Sequence, residues 1–335
     1  MQQRKLGTFD VSAIGLGCMN VCHAYGPAVD EAQAIRLFQE ALDAGVTHFD
    51  TAALYGFGAS ETLLGKALSH RRSEFTLASK CGMTGVMQPD GKKVRVIDGR
   101  PETIKATIDV ALRNLQTDVI DLYYLHRWDK QVPIEDSVGA LGDLVQSGKI
   151  RSIGLSEVSA ETLRKAHAVH PIAALQTEYS LWTRNPEIAV LETCRQLGVS
   201  FVAFSPVGRG FLTSTPPDAT DFHATDIRKN MPRFTAEHYA ANLDLHMAFR
   251  MLSDEAECTP AQFAMAWLLQ RGPDILPIPG TTSIAHLKEN LAAADITLDT
   301  ELMAAAEALL ANDQVGGNRY PAQARSEVDT EEFAE

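Results

Sequence analysis

Short apolar runs alternate with longer amphipathic stretches along this chain from residue 14 onward. The short runs are rich in β-branched and aromatic residues and are bounded by turn-forming residues, as strands are. In the stretches between them, apolar residues recur at helical spacing. The pattern predicts eight strands, each followed by a helix, at residues 14–17, 46–50, 75–79, 120–125, 150–155, 173–176, 199–204 and 275–278.

Several of the predicted helices begin at recognisable signals. Asp30 with Gln33 forms a capping-box pattern, and Pro101 stands at a first helical position. Thr259 and Pro260 combine an N-cap with a first-position proline. These starts support the division into repeated strand–helix units.

Repeated strand–helix units build a parallel sheet, which is either open and doubly wound or closed into a barrel. The nearest match to the phosphate fingerprint of the open form is Gly15-Leu16-Gly17-Cys18-Met19-Asn20. It lacks the third glycine and no helical pattern follows it. We therefore predict an α/β protein with a (β/α)8 TIM barrel in a single domain over residues 1–335, because no Pro/Gly/Ser-rich linker divides the chain.

Four segments lie outside the regular repeat. Residues 5–13 predict a hairpin that plugs the lower end of the barrel, or alternatively a frayed terminus. Residues 205–235 and 313–335 are insertions long enough to carry function, and residues 236–256 predict an extra helix.

The end of the chain is acidic. Its last ten residues hold no nearby basic partner, which predicts a solvated and mobile tail. Alternatively, the segment Gly316-Gly317-Asn318-Arg319-Tyr320-Pro321 folds over the mouth of the barrel. The acidic positions are Glu327, Asp329, Glu331, Glu332 and Glu335.

Composition and charge narrow the class of protein. The formal charge is −13, which opposes binding to nucleic acid or to anionic lipid. No apolar run approaches the roughly 20 residues of a membrane helix. The first 20 residues lack a signal-peptide pattern, and the five cysteines form no CxxC pair, so we expect a cytoplasmic protein. We also expect no metal site, because Cys22-His23 has no second ligand pair at zinc spacing and is interpreted as ordinary packing or loop residues. No coiled-coil repeat predicts an oligomer, and the oligomeric state stays open.

Candidate chemistry gathers at or just after predicted strands two, three and four, where Asp50, Tyr55, Lys80 and His126 stand. Because a barrel brings these strand ends together, the four side chains are expected to meet. Carbonyl reduction builds negative charge on the carbonyl oxygen and needs a proton donor, which the Tyr55 phenol can be. Taken singly, each residue also has an ordinary role as a cap, a core residue or a solvated charge.

The electrostatics of this group are predicted to favour the Tyr55 phenolate. At ~4 Å and an effective dielectric constant of ~20, the attraction of a lysine ammonium is ~4 kcal/mol, or ~3 pKa units as an upper bound. Lys80 is thus expected to lower the pKa of Tyr55, and Asp50 to keep Lys80 charged. His126 is expected to orient the substrate oxygen or relay the proton.

The chain resembles the aldo-keto reductase superfamily over roughly residues 4–312. The resemblance depends on Phe49-Asp50-Thr51-Ala52-Ala53-Leu54-Tyr55-Gly56, on Ser79-Lys80 and on Leu125-His126-Arg127. It implies the (β/α)8 barrel, a catalytic tetrad of Asp50, Tyr55, Lys80 and His126 with Tyr55 as general acid, and a nicotinamide cofactor that delivers hydride.

The resemblance also implies where the nicotinamide binds. Ser156 and Gln176 are similar to the residues that hold the carboxamide, and Phe204 replaces the more common tyrosine that stacks on the ring. A flat ring face suffices for stacking. Glu157 stands where many members have asparagine, and a carboxylate cannot donate to the carboxamide oxygen.

Two further segments resemble the family's phosphate-binding and adenosine-binding regions. The first resembles the pyrophosphate loop and holds Ser205, Val207, Gly208 and Gly210. The alternative interpretation of this segment is a plain turn. The second follows Ile278 and holds Gly280, Thr281, Thr282, His286, Glu289 and Asn290.

In that second segment, Gly280 and His286 stand where many members have lysine and arginine, so charge assistance to a 2′-phosphate is reduced. Hydroxyl groups and a helix N-terminus still favour NADPH, with NADH as the alternative. Arg209, Arg228 or Lys229 are candidates to supply the missing charge from the long loop.

The expected function is NADPH-dependent reduction of an aldehyde or ketone, or oxidation of the alcohol in reverse. The alternatives are a nicotinamide-sensing interaction subunit, as in potassium-channel β-subunits, and a cofactor-free barrel chemistry such as isomerisation. The intact tetrad and the lack of a long N-terminal extension disfavour the sensing role. The expected substrate pocket, whose members are alternatively packing residues, comprises Met19, Tyr25, Phe57, Trp128 and Trp182.

Overall fold

In the computed structural model, which describes residues 1–22 and 24–333, the chain begins with an antiparallel hairpin. Its strands are β1 (Gln3–Leu6) and β2 (Phe9–Ser12). The turn contains Gly7 at φ 57°, a left-handed conformation that glycine adopts without strain. Leu6 and Val11 are fully buried against the barrel interior. The predicted plug is therefore present, and the terminus is not frayed.

The remaining ten strands include the eight that were predicted, in the predicted order along the described chain. They are β3 (Leu16–Gly17), β4 (His48–Asp50), β5 (Thr76–Cys81), β6 (Met83–Met87), β7 (Lys93–Ile97), β8 (Ile120–Leu125), β9 (Ile150–Ser156), β10 (Ile172–Glu178), β11 (Ser200–Phe204) and β12 (Ile275–Pro277).

All of these except β6 and β7 form one parallel sheet within the described residues, in the order β3-β4-β5-β8-β9-β10-β11-β12. The sheet closes on itself where the Gly15 amide donates to Pro277 O at 3.0 Å and the Gly17 amide to Pro279 O at 3.1 Å. A side chain at position 17 would bring its Cβ to 2.9 Å from Ile278 O, so glycine permits this close approach. The predicted (β/α)8 barrel is confirmed.

Helices surround the barrel and bury their apolar faces against its outer surface. Within the described residues, none of them has both the length and the apolar character needed to cross a bilayer. They are α1 (Glu31–Asp43), α2 (Ala59–Leu68), α3 (Pro101–Leu115), α4 (Ile134–Gln146), α5 (Ala160–Val169), α6 (Val190–Leu197), α7 (Ala236–Glu255), α8 (Pro260–Gln270), α9 (Ile284–Ala292), α10 (Thr300–Leu309) and α11 (Ala322–Ser326).

The predicted helix starts hold, with one correction. Pro101 occupies the first turn of α3, and Thr259 forms a complete capping box with Gln262 at the start of α8. Asp30 caps α1 by accepting from the Gln33 amide at 2.8 Å. The Gln33 side chain, however, donates to Thr282 O at 3.1 Å instead of returning to the cap. The box at Asp30 is therefore only half formed.

The hairpin of β6 and β7, beside the mouth of the barrel, was not predicted from the sequence. Its strands pair in antiparallel register, with Met83 opposite Ile97. The signal was present, because alternating residues in Lys93–Ile97 follow a Pro89-Asp90-Gly91 turn. Met83 and Arg95 of this hairpin reach the cavity at the mouth.

The prediction that the last ten residues are solvated and without partners is wrong for their described part, residues 326–333. Glu327 pairs with Arg95 at 2.5 Å. Asp329 accepts from the Ser159 amide and hydroxyl at 3.1 and 2.9 Å, at the start of α5. The partners of Glu327 and Asp329 thus come from elements that are distant in the sequence. Glu335 and His23 lie outside the described residues.

Candidate active site

The four candidate catalytic residues lie on adjacent strands at the carboxyl end of the barrel. Asp50 ends β4, Lys80 lies near the end of β5, and His126 follows β8 directly. Tyr55 begins a short 3-10 turn after β4. Because β4, β5 and β8 are neighbours in the sheet, all four side chains converge, and all four are buried.

The Lys80 ammonium contacts both Asp50 and Tyr55 and so links the catalytic candidates. Its Nζ donates to a carboxylate oxygen of Asp50, to Thr51 O at 2.9 Å and to Tyr55 Oη at 3.2 Å. Three partners use all three ammonium hydrogens. The second oxygen of Asp50 accepts from Gln176 Nε2 at 2.7 Å. The buried charge pair is therefore fixed from several sides, as a buried pair requires.

The pKa directions support one part of the electrostatic prediction and correct another. Burial lowers the pKa of Lys80, but the Asp50 carboxylate and Tyr55 outweigh it, so the pKa of Lys80 is raised and the ammonium stays charged. Burial raises the pKa of Tyr55, and the Lys80 charge offsets this only in part. The net pKa of Tyr55 is raised, not lowered as the sequence analysis expected, because desolvation of the phenolate exceeds the attraction of the ammonium.

Tyr55 and His126 meet at the surface of a cavity. Their ring centroids are 5.7 Å apart in an edge-to-face arrangement. Asp50, Tyr55 and His126 line the cavity, whereas Lys80 is fully buried behind them. The arrangement places a phenol and an imidazole where both can contact one substrate oxygen.

The cavity has a volume of about 940 Å³ and extends from Tyr55 to helix α9. It collects most of the residues that the sequence analysis assigned to cofactor and substrate. Those that line it are Met19, Tyr25, Ser156, Gln176, Phe204, Ser205, Val207, Gly210, Gly280, Thr281, Thr282, His286, Glu289 and Asn290.

Three of the expected substrate contacts lie elsewhere. Trp182 is buried and stacks on Phe211 with ring centroids 3.9 Å apart, so it is a packing residue. Trp128 does not line the cavity, and its Nε1 donates to Val132 O at 2.8 Å within its own loop. Phe57 lies against the β6–β7 hairpin, with Lys93 Nζ 4.7 Å from its ring centroid. A loop position after a strand was not enough to predict the direction of these large side chains.

Gly208 also lies outside the cavity lining, within the loop that follows β11. It is buried at φ 57°, and a Cβ there would lie 3.0 Å from the Trp182 ring. Glycine at this position therefore lets the loop pack closely against Trp182. The neighbouring Ser205, Arg209 and Gly210 have positive φ as well, which turns this segment sharply along the cavity wall.

Glu157 faces away from the cavity. Its backbone has a φ of 56°, and its carboxylate accepts from Arg319 at 2.5 and 3.2 Å and from the Glu178 amide at 2.9 Å. The residue that stands where many family members have asparagine is thus committed to the C-terminal tail. The Glu157 side chain therefore anchors the tail and does not reach the expected carboxamide site.

The arginines of the long loop are also committed to partners. Arg209 pairs with Glu178 at 2.5 Å and donates to Tyr320 Oη at 3.0 Å. Although burial disfavours the charged carboxylate, Arg209 and two neighbouring arginines lower the pKa of Glu178. Arg228 pairs with Asp226 at 2.7 Å. Neither guanidinium is available as an uncompensated charge for a 2′-phosphate, and Lys229 does not line the cavity.

The tail supplies several cavity residues, and those after residue 321 were not predicted from the sequence. Of the segment 316–321, Tyr320 and Pro321 line the cavity, which agrees with the alternative that this segment folds over the mouth. The Arg319-Tyr320 pair, an arginine next to an aromatic residue in a glycine-rich segment, was the available signal. The tail residues that line the cavity are Tyr320, Pro321, Ala324, Glu327 and Val328.

Comparison with known proteins identifies the class to which this fold and site belong. The model of the aldo/keto reductase family matches residues 13–311, and the chain is a member of that family. Among relatives, it is 42% identical over 324 residues to a probable aldo-keto reductase 1 of Glycine max, covering 96% of this chain and 92% of that protein.

A second relative and two solved structures extend the comparison. The chain is 40% identical over 330 residues to the aldo-keto reductase yakc [NADP(+)] of Schizosaccharomyces pombe, covering 97% and 96% of the two proteins. The glycerol dehydrogenase AKR11B4 of Gluconobacter oxydans superposes with a TM-score of 0.85 at 28% identity, covering 96% and 98% of the chains. An aldo/keto reductase of Klebsiella pneumoniae, solved with NADP and acetate, gives 0.71 at 26% identity, covering 95% and 98%.

Proposed function

We propose that this protein reduces aldehydes or ketones to alcohols with NADPH, and runs the reverse oxidation when the cofactor ratio allows. The observation that carries the proposal is the buried chain from Asp50 through Lys80 to Tyr55 at the floor of the cavity. Family membership and the NADP(+) named for the Schizosaccharomyces pombe relative support the same chemistry and the same cofactor.

The residues along the cavity fit a nicotinamide dinucleotide. Gln176 uses its Nε2 on Asp50, which leaves its carbonyl oxygen to accept from a carboxamide N–H beside Ser156. Phe204 offers a ring face at the same end. The sharply turned segment of residues 205–210, of which Ser205, Val207 and Gly210 line the cavity, suits the close approach of phosphate oxygens. When bound, the reduced nicotinamide supplies the hydride.

The far end of the cavity fits the adenosine portion. Thr281, Thr282 and His286 line the cavity at the start of α9, and Ser283 caps that helix. Hydroxyl groups and a helix N-terminus suit a phosphate group. The 2′-phosphate would be held there without a lysine or arginine, so we expect a modest preference for NADPH over NADH.

The protein side chains divide the remaining work. Tyr55 holds the proton that the developing alkoxide takes up, and its raised pKa keeps the phenol protonated at neutral pH. Lys80 stabilises the phenolate left behind, and Asp50 keeps Lys80 charged. His126 orients the carbonyl oxygen opposite Tyr55. Met19 and Tyr25 on one side, and Tyr320 and Val328 on the other, favour a substrate with an apolar body.

The test mixes purified protein with NADPH and a panel of aromatic aldehydes and ketones and follows the loss of NADPH absorbance. Turnover that depends on Tyr55, with Tyr55→Phe as the control, supports the proposal. Cofactor binding without turnover of any panel member would favour the nicotinamide-sensing role instead. Titration with NADPH and NADH tests the cofactor preference, and equal dissociation constants would contradict it.

We further infer a cytoplasmic protein that acts on small molecules. All five cysteines are free thiols, as is usual in a reducing compartment. The charge of −13 argues against nucleic acid as a partner. Fractionation of cells that express the protein tests the location, and recovery in a secreted fraction would contradict it.

A further inference from the structure

Among the arginines that line the cavity, Arg127 has no counterion in the described part of the chain. Arg95, Arg209 and Arg228 line the cavity, and each is paired with a carboxylate, of Glu327, Glu178 and Asp226 respectively. Arg127 also lines the cavity. Across residues 1–22 and 24–333, no carboxylate oxygen lies within 4.0 Å of its guanidinium nitrogens.

Arg127 is held in place by neutral groups at the reacting end of the cavity. Its Nη1 donates to His126 O at 2.7 Å and to Ser156 Oγ at 3.3 Å. These contacts use one nitrogen of the guanidinium and leave Nε and Nη2 without a hydrogen-bond acceptor in the described part of the chain. The charge is also felt at Tyr55, where it opposes the rise in the pKa of the phenol.

The half-buried guanidinium lines the cavity, so its unused donors are available to a ligand that enters there. A carboxylate is the group that this planar fork binds best, through two parallel hydrogen bonds. Arg127 follows His126 in the chain. A carboxylate bound by Arg127 would therefore lie close to a carbonyl held by Tyr55 and His126.

We propose that Arg127 selects carbonyl substrates that carry a carboxylate close to the reacting carbonyl. This inference rests on the proposed reductase function and names the substrate class of the same site. The overall charge of −13 works against the approach of anions, so a preference for them needs a local cation. Arg127 is that cation, because the charges of the other cavity arginines are already compensated.

The experiment compares charged and neutral forms of the same aldehyde. The substrates are 3-formylbenzoate and 4-formylbenzoate and their methyl esters, each reduced by the full-length protein with NADPH, and the readout is the ratio of kcat/KM for acid over ester. For at least one isomer, we expect the wild-type ratio to exceed one by about tenfold or more, the range of a charge-assisted hydrogen bond. In Arg127→Met the ratio should fall to one or below. Arg127→Lys, which keeps the charge without the fork, should be intermediate.

The double variant Arg95→Met/Glu327→Gln is the matched control. It removes a cavity guanidinium together with the carboxylate that neutralises it, so the net charge is unchanged and its acid-to-ester ratio should stay within about threefold of the wild-type ratio. The dissociation constant for NADPH is measured for every variant by fluorescence quenching. This separates a role toward the substrate from a role toward the cofactor.

Two results would overturn the inference and leave the proposed function standing. One is a wild-type ratio near one for both isomers. The other is an Arg127→Met variant that weakens NADPH binding and lowers kcat/KM equally for acids and esters, which would make Arg127 a cofactor residue. A wild-type protein that binds NADPH but reduces neither acids nor esters would overturn both proposals.

Discussion

Buried ion pairs stabilise both the floor of the cavity, formed by Asp50, Lys80 and Tyr55, and its roof, formed by the tail residues 319–328. The two regions differ in how far apart the paired residues lie along the chain. In the floor, Asp50 and Lys80 are 30 residues apart and end neighbouring strands. In the roof, Glu157 and Arg319 are 162 residues apart, and one partner belongs to a tail outside the barrel repeat. The strand order of a barrel fixes which floor residues meet, whereas the roof pairs depend on the path of the tail.

The two regions also use their charges for different ends. The floor pair supports a group that exchanges a proton, since Lys80 contacts Tyr55 Oη. The roof pairs attach Tyr320 and its neighbours over the mouth. We therefore expect substitutions in the floor to reduce chemistry and substitutions in the roof to reduce stability and order of the tail.

The largest expected effect is at the floor. Tyr55→Phe removes the proton donor and keeps the ring, so kcat/KM for aldehyde reduction should fall by about 10³-fold, within the range of general acid catalysis. The free energy of unfolding in urea and the dissociation constant for NADPH should change little. A variant that keeps more than about a tenth of wild-type kcat/KM would remove Tyr55 from its assigned role.

The next effect is at the roof. Arg319→Met leaves the buried Glu157 carboxylate without its partner and should lower the free energy of unfolding by about 3–5 kcal/mol. Hydrogen exchange of residues 313–333 should increase before that of the barrel strands. Adding Glu157→Gln removes the orphaned charge and should recover part of the loss. Wild-type stability and tail exchange in the single variant would contradict the anchoring.

A smaller effect is expected where the tail contacts the start of α5, whose N-cap is Ser159. Asp329 accepts from the Ser159 amide at 3.1 Å and from the Thr162 hydroxyl at 2.7 Å. Asp329→Ala should lower the free energy of unfolding by about 1 kcal/mol, the usual net contribution of a hydrogen bond. Asp329→Asn keeps an acceptor oxygen and should lose less, and equal losses in the two variants would mean that the carboxylate charge decides.

The smallest effect is expected at the partly exposed pair of Arg95 and Glu327. Its two side chains are 41% and 21% exposed, and water screens their interaction. Glu327→Gln should change the free energy of unfolding by no more than about 1 kcal/mol. A loss as large as that of Arg319→Met would show that burial does not separate strong tail anchors from weak ones.

The same contrast explains how far the sequence could predict this molecule. The eight strands and the convergence of Asp50, Tyr55, Lys80 and His126 followed from periodicity and strand order. The large side chains after the strands did not, because the direction of Trp182 depends on Phe211, a residue of the long 205–235 insertion.

Long-range pairs and desolvation were the other limits. No local pattern links Glu327 to Arg95, so the last ten residues were predicted to be mobile. The direction of the Tyr55 pKa shift was also missed, because the cost of burying a phenolate depends on the complete environment of the side chain.

The most direct test of the account is the pH dependence of kcat/KM for aldehyde reduction. The acid form of Tyr55 is required, and burial raises its pKa above the ordinary value of about 10. Activity should therefore be level through neutral pH and fall only as pH rises through that raised value, and the low residual activity of Tyr55→Phe should lack this decline. A decline near neutral pH, or one that persists in Tyr55→Phe, would contradict the claim that Tyr55 is the proton donor.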